Sequence, residues 1–262
     1  MEPIVSHRAT AFGFGPCPYA AGMCNLYGTT DRKTLRSLTF VRLPDETPDW
    51  PAIAAPLSQG VLVRQVGLAV TGQWGMIPPD SPTRKPVSKS TGRPLSTNNA
   101  RRETVATAWT FRGAWHAGHR CLIPAWWFQE PYWGIRRADM MTAAPRSTPW
   151  HFRRADGLPW MLAGLWSHWA DPSSGELVVN YTMLTQNCDG HPILELMHKP
   201  DPQQPASRQD KRTVVPIWEQ DQDAWLHGTL AQAQSLIRVP APDTMEHGPA
   251  DPDRAAFKTL PV

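Results

Sequence analysis

The sequence predicts an α+β fold, a curved mixed or antiparallel β-sheet or barrel with a few flanking helices. Three observations carry this. Strand-type runs rich in Val, Ile, Leu, Thr and aromatic residues recur along the chain, helix-period segments are few and short, and 28 prolines and 18 glycines cut the chain into short pieces. In chain order, residues 1–22 are rich in Gly, Ala and Pro, show no period, and read as an unstructured extension. The stretch DRKTLRSL after Thr30 spaces Leu35 and Leu38 for a short helix behind cap-type residues. Residues 44–60 carry four prolines and read as loop, and Val61–Val70 as one or two strands. Pro78–Thr97 is polar, basic and Pro-rich, an exposed loop. Asn98 or Asn99 can cap a helix through ARRETVATAW. Strands are expected near Arg120–Phe128, Pro159–Trp169, Glu176–Thr185 and Thr213–Trp218, with one of Trp126 and Trp127 packing inward. Residues 200–211 read as a solvated loop, and Asp221 and Asp223 open one or two helices ending near Ile237. From Val239 prolines return and periodicity stops, so 239–262 are expected to be a disordered tail behind one domain over 23–238.

With 262 residues and 41% hydrophobic content the chain can bury a core. Its net charge of +3 permits a nucleic-acid partner without demanding one. Cys17, Cys24, Cys121 and Cys188 form no Cys-x-x-Cys pair and no dense disulfide framework, which argues against structural zinc and for a reducing compartment. His116 and His119 have loose metal-ligand spacing, but lack an acidic or Cys partner nearby and read as surface residues. No apolar run is of membrane-spanning length, and the N-terminus lacks the apolar core of a secretion signal. The expectation is a cytoplasmic monomer without metal or cofactor.

Four segments carry candidate chemistry. In Met23-Cys24-Asn25-Leu26-Tyr27, removal of everything through Met23 gives Cys24 a free α-amine beside its thiol. Such a 1,2-aminothiol condenses with an aldehyde to an imine and closes to a thiazolidine; with a reference pKa near ~8, much of the amine is neutral at cellular pH. The second segment, Thr97–Thr104, brings Asn99 to orient a reacting group and Arg101 to hold phosphate. The third, from Arg120 to Glu130, ends an apolar strand on a carboxylate whose desolvation would raise its pKa into the range of proton transfer. The fourth runs from Thr185 to Pro200 and includes His198, suited to moving protons near neutrality.

In their order and spacing these segments resemble the SOS-response-associated peptidase family, the abasic-site-processing proteins, from about Met23 to Leu226. The matching pieces are MCNLY, WGMIP at Trp74–Pro78, NNAR followed by ETV, RCLIPA with FQE, MLAGLW at Met161–Trp166, the run from Thr182 to His198, and DKRTVVPI at Asp210–Ile217. The resemblance implies a protein that links covalently to abasic sites in single-stranded DNA through an N-terminal cysteine, with a peptidase-like self-processing that exposes it. Carried over, Cys24 is the nucleophile, Asn99 orients cysteine and opened sugar, Glu130 moves protons, and His198 assists ring opening. Arg101 is placed on phosphate, and Trp74, Arg212 and Thr185 on the DNA-binding face. The chain departs from the family pattern in three places: Asn25-Leu26 follow the cysteine where Gly-Arg is usual, Pro131 replaces the aromatic after Glu130, and a loop separates His198 from Arg212.

Two other readings compete. A cysteine hydrolase would pair Cys24 with His198 and need no free amine. A non-covalent single-strand-binding module would rely on Trp stacking and Arg contacts. As written, the Cys24 nitrogen lies in a peptide bond and cannot form an imine; a start at Met23, or cleavage of the Met23–Cys24 bond, removes that block.

Overall fold

In a computed structural model that describes residues 24–134 and 147–250, the core is a closed five-stranded ring. Strand β3 (Gln59–Val63) turns back antiparallel into β4 (Ala69–Trp74). β3 also touches β6 (Arg120–Tyr132), β6 pairs antiparallel with β8 (Trp160–Ala170), and β8 with β9 (Leu177–Asn187). A short parallel pairing of β9 with β4 closes the ring. The outer part of β6 carries β1 (Leu26–Thr29) on one edge and β7 (Thr148–Arg154) on the other. β2 (Ile53–Ala54) extends β1, while β5 (Asn99–Arg101) and β10 (Arg212–Val214) add to β9.

Period-two alternation sorts the side chains of these strands into two cores. Val61, Val63, Leu122, Ala163 and Leu165 face outward under helices α2 (Trp109–His116), α3 (Gln222–His227) and α4 (Leu230–Leu236), packing on Trp115, Trp225 and Leu236. Leu62, Cys121, Ile123, Leu162, Tyr181 and Met183 face inward and meet Cys24, Trp74 and Met197. Both faces are therefore apolar, which is why these strands read as continuous hydrophobic runs. Helix α1 (Arg32–Ser37) forms where expected, capped by the Asp31 side chain on the Thr34 N–H.

Two expectations are corrected. Asn98 and Asn99 cap no helix: Asn99 itself opens β5, parallel to β9, and α2 begins only at Trp109. The tail beyond Val239 is not uniformly disordered, since β11 (Met245–Pro249) pairs residue for residue with β7. The expected strand at 213–218 shortens to β10, and β2 appears in the Pro-rich loop. Residues 1–22 and the end of the tail, 251–262, lie outside the described residues.

Candidate active site

Cys24 lies two residues before β1, fully buried in the inner core. The β1–β6 register, Leu26 opposite Gln129, brings it beside Glu130. Its backbone N–H donates to the Glu130 carboxylate. Its carbonyl accepts from Asn99 Nδ2 at 2.9 Å and from Asn98 Nδ2 at 3.4 Å. The thiol points at the Leu26 carbonyl, 3.4 Å away. Burial, with the Glu130 charge second, holds that thiol well above its ordinary pKa, so it rests protonated.

Glu130 is 1% exposed. Burial raises its carboxyl well above the usual carboxylate range, and the Cys24 N–H offsets this only in part. Its Oε2 lies 3.5 Å from His198 Nε2 and has no hydrogen-bond partner among the described residues. Asn99 Oδ1 is likewise buried without one. A buried acceptor left unmet costs roughly 1–3 kcal/mol, and two beside one cysteine mark a place built to receive donors.

His198 takes a left-handed backbone, φ 62°, unusual outside glycine. Its N–H donates to the Pro131 carbonyl at 2.8 Å, and its Nε2 lies 2.9 Å from the Arg212 carbonyl, so Nε2 carries the proton. Burial pushes the imidazole down to about 4, and it is neutral at pH 7. Lys211 completes the grip. Its buried ammonium donates to the carbonyls of Met197 at 2.8 Å and of His198 at 2.7 Å. Asp189 in turn accepts the backbone N–H groups of Asp210 and Lys211. Lys211 was not singled out from the sequence, where a Lys between a polar loop and a strand looks solvated. Asn98 reads in the sequence only as a possible helix cap and not as part of the site, although the Asn98-Asn99 doublet was the available signal.

The model of the SOS response associated peptidase family matches residues 27–252. This chain belongs to that family. The matched span holds Asn99, Glu130 and His198 and begins three residues after Cys24. No functionally curated protein matches the chain. Among solved structures, a protein from Bordetella bronchiseptica is similar at 30% identity and TM-score 0.71, covering 87% of this chain and all of its own. A protein from Bacteroides thetaiotaomicron, at 15% identity, TM-score 0.64 and coverage of 88% and 93%, shares the fold. So does a phage-related protein from Bordetella bronchiseptica, at 15% identity, TM-score 0.56 and coverage of 87% and 94%.

Within this SOS response associated peptidase fold, the four residues expected to do chemistry gather at one place, and the four expected on DNA do not. Trp74 is fully buried and cannot offer a stacking face; its Nε1 donates to the Asn98 carbonyl at 2.9 Å and its ring meets Tyr27 edge-on at 4.9 Å. It supports the asparagine from behind. Thr185 is also buried, with Oγ1 3.4 Å from the Ala100 carbonyl, where β5 and β10 both pair with β9. Arg212 is held by Glu103 at 2.5 Å and by Asp210, and serves the site through its carbonyl on His198. Arg101 is half-exposed and pairs with Asp210 at 2.8 Å, a surface pair that contributes little to stability. In the basic loop, Arg84 and Lys89 are engaged with Asp171, Glu176 and Asp80. His116 bonds the Ala106 carbonyl and His119 stacks on Trp166.

Proposed function

We propose that the protein, once Cys24 is its first residue, forms a covalent thiazolidine adduct with abasic sites in single-stranded DNA. The observation that carries this reading is the contact between the Cys24 nitrogen and the Glu130 carboxyl. Hydrolysis of the Met23–Cys24 bond, or a start at Met23 with removal of that Met, turns this nitrogen into an α-amine touching a buried acid.

Each step then has a residue. The amine adds to the aldehyde carbon of the opened sugar and gives a carbinolamine. Glu130, protonated because it is buried, gives its proton to the departing hydroxyl, and water leaves an iminium ion. The resulting carboxylate takes the proton from the Cys24 thiol, and the sulfur adds to the iminium carbon to close the ring. No oxidant or metal is consumed. Asn99 and Asn98 hold the Cys24 carbonyl, and so the angle at which amine and thiol present themselves. His198, neutral and with Nε2 2.9 Å from the Arg212 carbonyl and 3.5 Å from Glu130 Oε2, assists sugar-ring opening beside that acid. Acid–base assistance of this kind is worth ~10²–10⁴ in rate.

Both pKa shifts run against the hydrolase alternative, which needs a thiolate beside an imidazolium: here the thiol is raised and the imidazole lowered. The test is a denaturing gel of the mature protein with a single-stranded oligonucleotide carrying one abasic site, alongside intact mass. A shifted band with the wild type, and none with Cys24→Ala or after acetylation of the amine, is expected. A band that survives either change refutes the reading.

A further inference from the structure

The row of side chains that begins inside the core at Glu130 does not stop there. On β6, Phe128, Glu130 and Tyr132 share one face, and across the ladder Phe152 and Trp150 lie opposite Phe128 and Glu130. The inner pair, Phe128 and Phe152, is fully buried and stacked at 4.9 Å, and packs the core. The outer pair is different. Tyr132 and Trp150 are stacked at 4.5 Å and 22°, but both are only half-buried. Trp150 donates its Nε1–H to His247 Nδ1 at 3.1 Å, and the imidazole lies beside it with ring centroids 6.0 Å apart. β11 thus supplies a third ring and fixes the indole. Tyr132 also bridges to Met197, and the chain passes from there through His198 to Lys199. Lys199 is exposed and makes no ion pair among the described residues.

We propose that Tyr132, Trp150 and His247 form a stacking platform for one unpaired nucleobase next to the lesion, with Lys199 taking a neighbouring phosphate. The subsite rests on the single-strand reading above and names where that strand lies. Its occupant follows from its make-up. Partly exposed, pre-ordered rings accept a flat π-face of any base, and a single unpaired cation beside them suits a phosphodiester.

The test uses a fluorescent single-stranded oligonucleotide with no abasic site, followed by anisotropy against the full chain. Trp150→Ala is expected to bind about 10-fold more weakly, and Trp150→Phe, which keeps a ring, within about 3-fold of wild type. Thermal melting checks that both variants are folded. A second arm needs no variant to fold: each nucleotide of an abasic oligonucleotide is replaced in turn by a base-free spacer without an aldehyde. One position adjacent to the lesion is expected to weaken wild-type binding about as much as Trp150→Ala does. Equal binding by Trp150→Ala, or wild-type indifference to every spacer position, overturns the platform. Anisotropy does not depend on Cys24 chemistry, so retained binding without an adduct refutes the covalent reading and leaves the platform standing.

Discussion

Lys211→Met is the substitution that tests most directly how His198 is held. Methionine matches the length of the lysine stem and removes only the ammonium. The wild-type ammonium donates two charge-assisted hydrogen bonds, to Met197 O and His198 O, inside the fold. Such bonds contribute about 1.5–3 kcal/mol each, and carbonyls left unmet cost about 1–3 kcal/mol each. Relief from burying a charge offsets part of the loss. The net is a destabilisation of ~2–4 kcal/mol, or a fall in Tm on the order of 5–15 °C for a domain of this size. The left-handed turn at His198 loses its anchor at the same time. A displacement of the imidazole by ~1 Å is worth up to ~10²-fold in rate. Urea denaturation and calorimetry measure the first effect, and single-turnover adduct formation well below Tm measures the second. Lys33→Met, at an exposed helical position, serves as control and should change stability by less than ~0.5 kcal/mol. If Lys211→Met melts and reacts like the control, the clamp has no role and the argument from buried carbonyls is wrong.

Three further outcomes are expected. Glu130→Gln keeps shape and removes the proton donor, so adduct formation should fall by ~10²–10⁴ while the protein stays folded; retention of more than a tenth of the rate would move the acid–base role elsewhere. His198 is held down to about 4 against an ordinary 6.5, so its stabilising contribution is full above pH 6.5 and is lost as pH falls through 4, about 3 kcal/mol in all; Glu130, raised by burial, runs the other way, contributing below about pH 4.5 and losing that contribution as pH rises. Urea titrations across this range should therefore show a flatter acid limb in His198→Gln and a flatter alkaline slope in Glu130→Gln, and unchanged slopes would show that these groups are not buried as described. Trp74→Phe removes the bond to the Asn98 carbonyl and leaves a small cavity in the core, and should cost roughly 2–3 kcal/mol without changing affinity for single-stranded DNA; a large loss of affinity would return Trp74 to the DNA-binding face.

What could be read in advance follows the range of the interactions involved. The barrel strands were legible because both of their faces are apolar, and α1 because Asp31 caps it locally. β5 was not, because Asn99-Ala100-Arg101 has no strand signature and is a strand only through its parallel pairing with residues 183–185 of β9. β11 pairs with β7 across a comparable gap, and neither segment shows a clean alternation. That Cys24, Asn99, Glu130 and His198 lie together was legible through the order of their motifs. The DNA set was not, since whether a Trp or Thr lies on an outer or inner face depends on register. Lys211 was hidden for a related reason: its acceptors are main-chain carbonyls, which leave no trace in sequence.

Register also explains how a carboxylate comes to lie in this core. On β6 the inward positions are Cys121, Ile123 and Ala125, and strict alternation would continue to Trp127 and Gln129, leaving Glu130 on the opposite face. The pairing with β1 slips instead: Gly28 lies opposite Trp127 and Thr29 opposite Ala125, so Trp126 is an extra residue. That bulge reverses the alternation. Phe128 and Glu130 then face inward, and Trp127 faces outward, where it stacks on His151 at 4.0 Å. Gly28 is needed at this crossing because a Cβ there would meet the Trp127 indole at 2.4 Å. One inserted residue and one missing side chain thus decide which face of β6 carries the acid. Tyr132 follows Glu130 to the same face by simple alternation, so the face taken by the acid and by the proposed platform depends on one local irregularity in a strand whose sequence otherwise reads as plain core.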